Sequence, residues 1–345
     1  MKFPPVEGTQ PVQLTDYPLD IGNFAIRGDT LVFSTDVFIE CASDLNCTAN
    51  KNKEIEARGA NTYQIYTELM VRHWDIWYTE GMTSQVFYQK LKQDGEGVAL
   101  DGAPVNLISK EALQSPPIEN GAEQFSISPD GNLIAFSSLI RDNTMARNTA
   151  WDIYIYDITT GQKEKLTGDK LGRCQNPLFN LDGTKLAMLC MLRPGVESDQ
   201  LHVNVYDIAT KQFVEPGYEE HFKPALSTYT WYNQGEEGKI QFLLNTVDTG
   251  KVRLYTYDFL ATDEATAYKP ITDDTLAYGE PIILDDTTIL TSYSAFFTAE
   301  RVAKLTYDAT AAKWSVTDLS DLNKETLDAF GLQDATSFNF TGGNG

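Results

Sequence analysis

Histidine, cysteine and basic residues are scarce in this sequence, and each shortage narrows the chemistry open to it. Only three histidines (His73, His202 and His221) occur in 345 residues, and the pentapeptide Gly-x-Ser-x-Gly is absent. That pentapeptide forms the strained turn that presents the nucleophilic serine of an α/β-hydrolase. No serine and aspartate stand at a recognisable spacing from the histidines, so we expect no catalytic residue in this chain.

The charge balance also excludes several classes of partner. The chain has 27 Lys and Arg against 49 Asp and Glu, giving a net charge of −22 and an isoelectric point near 4.4. Such a surface repels nucleic acid and anionic membranes, so neither is expected as a partner. The sequence contains no run of about 18 apolar residues, so it predicts no transmembrane helix. Acidic pairs are scattered and the cysteines lack zinc spacing, so we predict no metal and no cofactor.

The four cysteines fall into two local pairs. Cys41 and Cys47 share a polar loop, whereas Cys174 and Cys190 lie equally far from Asp182 at the centre of a predicted hairpin. Residues opposite each other in an antiparallel pair are close enough for a cross-strand disulfide. Two unrelated buried thiols are the alternative.

Two local disulfides would favour a periplasmic or secreted protein. The first five residues contain no apolar signal core, so a leader would lie outside this sequence. A cytoplasmic location is the alternative.

The sequence contains a repeat of about 50 residues. A Tyr-Asp pair recurs at successive spacings of 50, 51 and 50 residues. The pairs are Tyr156-Asp157, Tyr206-Asp207, Tyr257-Asp258 and Tyr307-Asp308. Alternating stretches joined by turns such as Ser128-Pro-Asp-Gly131 precede them, which is typical of hairpins. Four short strands per repeat predict an all-β protein, a β-propeller with four-stranded blades.

The repeat predicts five complete blade units within residues 19–335. Residues 10–18 look like the closing strand of another blade, so residues 1–18 are expected to be the outer strand of a preceding blade. This orphan strand suggests a seven-bladed propeller of which two blades are missing. The flanks of the first and last units would then be exposed, and a homo-oligomer could cover them.

The first blade carries an insertion at residues 37–71. Within it the apolar pattern from Tyr63 to Val71 suggests one or two helical turns, and long insertions are often functional. Trp74 and Trp77 follow the insertion and are expected to pack within the blade.

Several motifs stand in a distinctive order along the chain. They are Gln13-Leu-Thr-Asp-Tyr-Pro-Leu-Asp-Ile-Gly22, the paired-cysteine loop, Val71-Arg-His-Trp-Asp75, Ser128-Pro-Asp-Gly131 and Arg193-Pro-Gly-Val-Glu-Ser-Asp199. This order resembles the propeller half of prolyl oligopeptidase family serine peptidases, in the branch of acylaminoacyl-peptidase and dipeptidyl-peptidase V. The resemblance implies a C-terminal α/β-hydrolase domain, absent here, to which residues 336–345 would begin the linker.

The resemblance also implies where a peptide would bind. In peptidases that trim from the N-terminus, a propeller carboxylate can hold the substrate ammonium group while an arginine orients a carbonyl. The candidates are Arg72, Asp75, Glu197 and Asp199, and structural ion pairs are the alternative explanation.

The expected function is therefore that of a non-catalytic propeller domain of a serine exopeptidase. It would gate access and dock the N-terminus of a peptide substrate for the α/β-hydrolase domain. The second hypothesis is a free-standing β-propeller that binds a protein partner in the cell envelope.

Overall fold

The computed structural model describes most of the chain as two compact units, Met1–Val214 and Glu215–Gly345. The described residues are 13–59, 63, 65–67, 69–95, 97–118, 121–168, 171–218, 224–232, 238–273, 275–296, 298–332, 335–336, 338 and 340–343.

The secondary structure of both units is dominated by short strands. The first unit contains β1 (Asn23–Arg27), β2 (Thr30–Phe38), a 3-10 turn (Ile39–Cys41), α1 (Leu45–Ala57), β3 (Arg72–His73), β4 (Ile76–Trp77), β5 (Met82–Asp94), β6 (Gly97–Asn106), β7 (Leu113–Gln114), a 3-10 turn (Ala122–Gln124), β8 (Phe125–Ile127), β9 (Leu133–Ile140), β10 (Asp152–Asp157), β11 (Gln162–Lys165), β12 (Cys174–Phe179), β13 (Lys185–Met191), β14 (Leu201–Asp207) and β15 (Gln212–Val214). The second contains β16 (Ala225–Tyr232), β17 (Gln241–Asp248), β18 (Lys251–Asp258), α2 (Glu264–Ala267), β19 (Tyr268–Pro270), β20 (Ala277–Tyr278), β21 (Ile282–Asp285), β22 (Thr288–Ala295), β23 (Thr298–Asp308), β24 (Lys313–Asp318) and α3 (Lys324–Ala329).

The strands form antiparallel sheets in which sequence neighbours pair. In the first unit the sheet orders are β1-β2-β5-β6, β11-β10-β9 with β7 and β8 both on β9, and β12-β13-β14-β15. In the second unit they are β16-β17-β18-β19 and β20-β22-β23-β24, with β21 also on β22. Each of these five sheets contains the four-stranded antiparallel meander of a propeller blade, and two of them carry a fifth short strand, so the predicted fold class is confirmed. The number of blades in a complete propeller stays a prediction.

The Tyr-Asp repeat marks the end of the third strand in four of these sheets. The Asp157 carboxylate accepts a hydrogen bond from the Thr159 backbone amide (2.8 Å), and that of Asp207 accepts one from Thr210 (2.9 Å). These bonds close the turn into the fourth strand. Tyr206 packs its ring 5.4 Å from that of Phe213 on the fourth strand. The repeat is therefore explained by turn chemistry and packing.

Neighbouring sheets within each unit are held by apolar contacts between their faces. The first interface joins Val32 and Val86 to Ile134, Phe136 and Tyr154, and the next joins Ala135 and Ile153 to Phe179, Leu186 and Met188. In the second unit Leu243 and Leu254 pack with Ile289 and Leu305. Close packing of such faces gives each unit a continuous core.

The outer strand expected at residues 1–18 lies largely outside the described residues and stays a prediction. Residues 13–18 contain no strand, and residues 1–12 lie outside the described residues. The ring of Tyr17 stacks 4.9 Å from that of Phe33, and Leu14 and Leu19 pack on the same cluster. This segment covers part of the flank that was expected to be exposed.

The insertion also differs from expectation. Its polar run forms α1, whose N-terminus is capped by Asp44 accepting from the Cys47 amide (3.0 Å). The described residues between Tyr63 and Val71 contain no helix. The packing predicted for Trp74 and Trp77 is wrong, because β3 and β4 form a separate hairpin in which these side chains are 77% and 56% exposed.

The C-terminal segment shows no strand in its described residues. Phe338 and Phe340 are exposed, and Ser337 and Asn339 lie outside the described residues. The linker expected at residues 336–345 stays a prediction.

Candidate functional site

Long connections between second and third strands border a cavity in the first unit. They comprise residues 39–81, 141–151 and 192–200, which follow β2, β9 and β13. Loops positioned by a rigid sheet scaffold are common sites of function. The cavity between them has a volume of about 650 Å³, which falls in the range of small-molecule sites. We call it cavity A; it is bounded by His73, Trp74, Met145, Trp151, Arg173 and Glu197.

An arginine, an aromatic ring and a carboxylate form the polar part of cavity A. The Arg173 guanidinium lies 4.7 Å from the centre of the Trp151 ring, a cation–π contact. Burial lowers the pKa of Arg173, and the negative charge of Glu197 opposes that effect. Arginine nevertheless keeps its charge at neutral pH. The cavity therefore holds a fixed positive group within electrostatic reach of a negative one.

A second charged pair in cavity A is already neutralised. Lys165 Nζ lies 2.9 Å from Asp152 Oδ2, and the Thr167 hydroxyl donates to Asp152 Oδ1 at 2.7 Å. Glu197, by contrast, takes part in none of the ion pairs found among the described residues. Of the two lining carboxylates, Glu197 is the one available to a ligand.

Two buried polar atoms of cavity A lack hydrogen-bond partners within the described part of the chain. They are Arg173 Nε and Thr149 Oγ1, and both residues line the cavity. Because most buried polar groups in folded proteins are paired, such atoms call for an explanation. A polar ligand or ordered water in cavity A would supply the missing partner.

A disulfide lies directly behind Arg173. Cys174 stands opposite Cys190 in the β12–β13 register, and the two are bonded with a Cα separation of 4.1 Å. The Arg173 carbonyl accepts from the Met191 amide at 2.9 Å. The sulfur bridge and this hydrogen bond hold the backbone that carries Arg173. The second bridge joins Cys41, at the end of the first 3-10 turn, to Cys47 in the first turn of α1.

The two carboxylates predicted on the 193–199 loop have different surroundings. Glu197 is exposed and lines cavity A. Asp199 accepts from Arg193 Nε at 3.0 Å and from the amides of Leu192 and Arg193, both at 2.9 Å. These bonds lower the pKa of Asp199, with the Arg193 bond as the main cause. Asp199 thus closes its own loop, which supports the structural alternative for this residue.

Arg72 and Asp75 do not line cavity A. The Arg72 guanidinium lies 5.3 Å from the centre of the Trp77 ring, across the β3–β4 hairpin. Asp75 is exposed in the turn of that hairpin, next to Trp74 at φ 48°. His73 and Trp74 on the same hairpin do line the cavity. The structure therefore brings together the two predicted segments, but only Glu197 of the four predicted residues borders the space between them.

Sequence reasoning missed Arg173 and Trp151. A signal for Arg173 was present, because the inferred pairing of Cys174 with Cys190 places the preceding residue beside the start of the 193–199 loop. Trp151 borders the 141–150 loop and forms an isolated bridge with Arg173. That contact depends on two adjacent sheets meeting, and no spacing along the chain reveals it.

Cavity A is suited to a small zwitterionic or peptide-like ligand. Glu197 can accept from an ammonium group, Arg173 can donate to a carbonyl or carboxylate, and apolar side chains such as Met145 and Met191 line the remainder. Within the described residues no group of three or more His, Cys, Asp and Glu could hold a metal ion. No helix in the described ranges is long and apolar enough to cross a membrane.

Comparison with known proteins identifies relatives of the chain. No family model matches it. Dipeptidyl-peptidase 5 of Aspergillus fumigatus is 28% identical over 312 residues, which covers 84% of this chain and 41% of the relative. Dipeptidyl-peptidase 5 of Porphyromonas gingivalis is 28% identical over 208 residues, covering 56% and 29%. Dipeptidyl-peptidase 5 proteins are homologues of this chain.

The homology to dipeptidyl-peptidase 5 confirms the resemblance that the motifs indicate, over the part of those proteins that the chain spans. That part is 41% of the Aspergillus fumigatus protein. Among solved structures, the match to a prolyl endopeptidase covers 88% of this chain and 35% of the endopeptidase chain, with a TM-score of 0.46 and 12% identity. The β-propeller domain of the trilobed protease from Pyrococcus furiosus matches 88% and 85%, with a TM-score of 0.37 and 12% identity.

Proposed function

We propose that this chain is the propeller part of a dipeptidyl-peptidase-like serine exopeptidase and that cavity A docks the N-terminus of the peptide substrate. An α/β-hydrolase domain would supply the nucleophile, and the propeller would limit access to short or unfolded peptides. The homology to dipeptidyl-peptidase 5 supports the peptidase assignment. The observation that carries the docking role is Glu197 lining cavity A together with Arg173.

The roles follow from charge and geometry. The Glu197 carboxylate would accept hydrogen bonds from the α-ammonium group, and a charge-assisted bond of this kind is roughly twice as strong as a neutral one. Arg173 would donate to the first peptide carbonyl through nitrogens that its contact with Trp151 does not occupy. The methionines and Trp74 would contact the first side chains. This assignment replaces the predicted Arg72 with Arg173.

The test is equilibrium binding of a dipeptide amide to the purified 345-residue chain by isothermal titration calorimetry. Alanyl-alanine amide should bind, and its N-acetylated form should bind at least about tenfold more weakly because it has no ammonium group. The Glu197→Gln variant should bind the free amine more weakly by the same factor, and its affinity for the acetylated ligand should equal that of the wild type.

A matched control separates this effect from a change in overall charge. Glu54→Gln removes one carboxylate from an exposed position on α1 that does not line cavity A, and it should bind like the wild type. Equal binding of the free and acetylated dipeptides would contradict the docking role. So would an unchanged affinity in Glu197→Gln.

The exposed β3–β4 hairpin supports a second candidate function, that of a protein-binding module. Trp74 is 77% exposed, Trp77 is 56% exposed, and Ile65 in the preceding segment is 70% exposed. Exposed aromatic residues are typical of protein contact surfaces. If cavity A binds no dipeptide while this surface binds a protein partner, the second function is favoured.

A further inference from the structure

One part of the wall of cavity A combines a guanidinium group with a hydroxyl group, and both have unused hydrogen-bonding capacity. Arg173 Nε and Thr149 Oγ1 are buried, line the cavity and have no partner among the described residues. Thr149 lies two residues before Trp151, whose ring contacts the Arg173 guanidinium. Two residues of chain span at most about 7 Å, so the hydroxyl and the guanidinium belong to the same part of the wall.

The backbone that carries Arg173 is held by hydrogen bonds to two other segments. The Cys174 amide donates to the Trp151 carbonyl at 3.0 Å, and the Met191 amide donates to the Arg173 carbonyl at 2.9 Å. Because this backbone is fixed before a ligand arrives, Arg173 needs little ordering on binding, and the entropic cost of binding is reduced.

The loop that carries Glu197 begins directly against the same segment. A Cβ atom placed on Gly172 would lie 2.7 Å from the Arg193 carbonyl oxygen. Only glycine fits at this approach of two backbones. The close approach brings the start of the Glu197 loop to the residue that precedes Arg173, so one ligand can reach both charges.

The positive charge of Arg173 is not neutralised by a direct ion pair. None of the ion pairs among the described residues involves Arg173. Lys165 also lines the cavity, but its Nζ lies 2.9 Å from Asp152. Glu197 acts on Arg173 through its charge and not through a hydrogen bond. Arg173 can therefore offer a full charge to an anionic group.

We propose that Arg173, Thr149 and Trp151 form a carboxylate subsite in cavity A, so that a free dipeptide acid binds there more tightly than the corresponding amide. The inference rests on the proposed function, in which Glu197 holds the ammonium group of the same ligand. A carboxylate accepts charge-assisted hydrogen bonds from the guanidinium and a further one from the hydroxyl, whereas an amide carbonyl offers a single neutral oxygen.

The preferred ligand is a zwitterion because of the charge of the whole chain. With a net charge of −22 the protein repels an anion at long range, but a dipeptide with a free ammonium group carries no net charge. Such a dipeptide is the product of dipeptidyl-peptidase cleavage. It would compete with the next peptide for cavity A, which amounts to product inhibition at the propeller.

The test compares four ligands by calorimetry on the 345-residue chain. They are alanyl-alanine, alanyl-alanine amide and the N-acetylated form of each. Alanyl-alanine should bind about tenfold to a hundredfold more tightly than its amide. The acetylated acid should also exceed its own amide, by a smaller factor because it is a net anion. Saturating alanyl-alanine should suppress binding of the amide, since both occupy one cavity.

Variants of the subsite should change the ratio of acid affinity to amide affinity. Arg173→Gln should reduce this ratio to about one, and Thr149→Val, which keeps the side-chain shape, should reduce it by a smaller factor. Trp151 acts as a positioning residue for the guanidinium. Trp151→Leu should therefore lower the ratio, whereas Trp151→Phe, which keeps an aromatic ring, should restore it.

A second arginine next to a tryptophan provides the matched control. The Arg72 guanidinium lies 5.3 Å from the centre of the Trp77 ring, and neither residue lines cavity A. Arg72→Gln removes the same charge from the chain and should leave the ratio of acid affinity to amide affinity unchanged. Circular dichroism at the assay temperature verifies that each variant is folded.

The outcomes separate this inference from the docking role of Glu197. Equal affinities for acid and amide, or an unchanged ratio in folded Arg173→Gln, would overturn the carboxylate subsite and leave ammonium docking intact. If acetylation has no effect on affinity, ammonium docking fails, while an acid preference that depends on Arg173 still supports the subsite. Absence of binding by all four ligands at millimolar concentration would overturn both.

Discussion

Removing the Cys174–Cys190 bridge should weaken both the fold of the first unit and ligand binding in cavity A. The change is Cys174→Val with Cys190→Val, which introduces apolar β-branched side chains at two fully buried strand positions. The bridge closes a loop with a sequence separation of 16 residues. Loop-closure entropy for a loop of that size corresponds to about 3 kcal/mol of stability.

The second bridge provides the matched comparison. Cys41 and Cys47 are separated by 6 residues, and the same relation gives about 2 kcal/mol for this shorter loop. The double variant Cys41→Ala with Cys47→Ala should therefore lose less stability. Urea unfolding followed by circular dichroism measures both, and the loss should appear as a lower midpoint with an unchanged slope.

Binding distinguishes the two bridges more sharply than stability does. Only Cys174–Cys190 adjoins residues of cavity A, namely Arg173 and Met191. Its loss should weaken dipeptide binding, because the end of β12 that carries Arg173 is then held by backbone hydrogen bonds alone. Loss of the other bridge should leave dipeptide binding unchanged. Equal unfolding midpoints and equal dipeptide affinities in all three proteins would refute this reasoning.

Three further predictions concern charge and catalysis. Desolvation raises the pKa of Asp36 in the folded state, so the stabilising contribution of this carboxyl is lost as pH rises through that pKa. Asp36→Asn should therefore raise the melting temperature at pH 7 but not at pH 3, and a lower melting temperature at pH 7 would contradict this. The pKa of Asp182 is lowered, mainly by the hydrogen bond that the Thr184 hydroxyl donates to it. Asp182→Ala should therefore lower the free energy of unfolding at pH 7 by less than about 1 kcal/mol in urea titrations. This loss should disappear once the pH has fallen through the folded-state pKa. A pH-independent cost would count against that hydrogen bond. The purified chain should hydrolyse no dipeptidyl or aminoacyl ester, because it lacks a nucleophile motif; turnover blocked by a serine-reactive phosphonate would disprove it.

Much of the fold was predictable because the repeat consists of turn residues whose hydrogen bonds are made to near neighbours in the sequence. Turn residues such as Asp157 and Asp182 make their hydrogen bonds within three residues, so their spacing along the chain reports the strands directly. Signals of this kind survive in a single sequence because nothing distant is needed to interpret them. The pairing of Cys174 with Cys190 also needs a bulge between Gln175 and Leu178, because the register beside the turn would place Cys174 opposite Met191.

The insertion and the site were less predictable because they depend on contacts between distant segments. The polar run of α1 has no strong apolar face, and Leu45 packs against a sheet whose strands continue beyond the insertion. Trp74 resembled a core residue by type, but its exposure is decided by how the hairpin leaves the blade. Arg173 and Glu197 come from different segments of the chain; Glu197 was predicted from its motif, whereas the contact of Arg173 with Trp151 was not.

The β3–β4 hairpin separates two spaces in the first unit. Cavity A lies on the side of His73 and Trp74, and a cleft lined by Ile76 and Trp77 lies on the other side. Only two residues form each strand of the hairpin, and Ile118 borders both spaces. A ligand in cavity A that displaced so thin an element would also change the width of the cleft. Any ligand of the cleft would then be coupled to the dipeptide, and by reciprocity each would change the affinity for the other by the same factor.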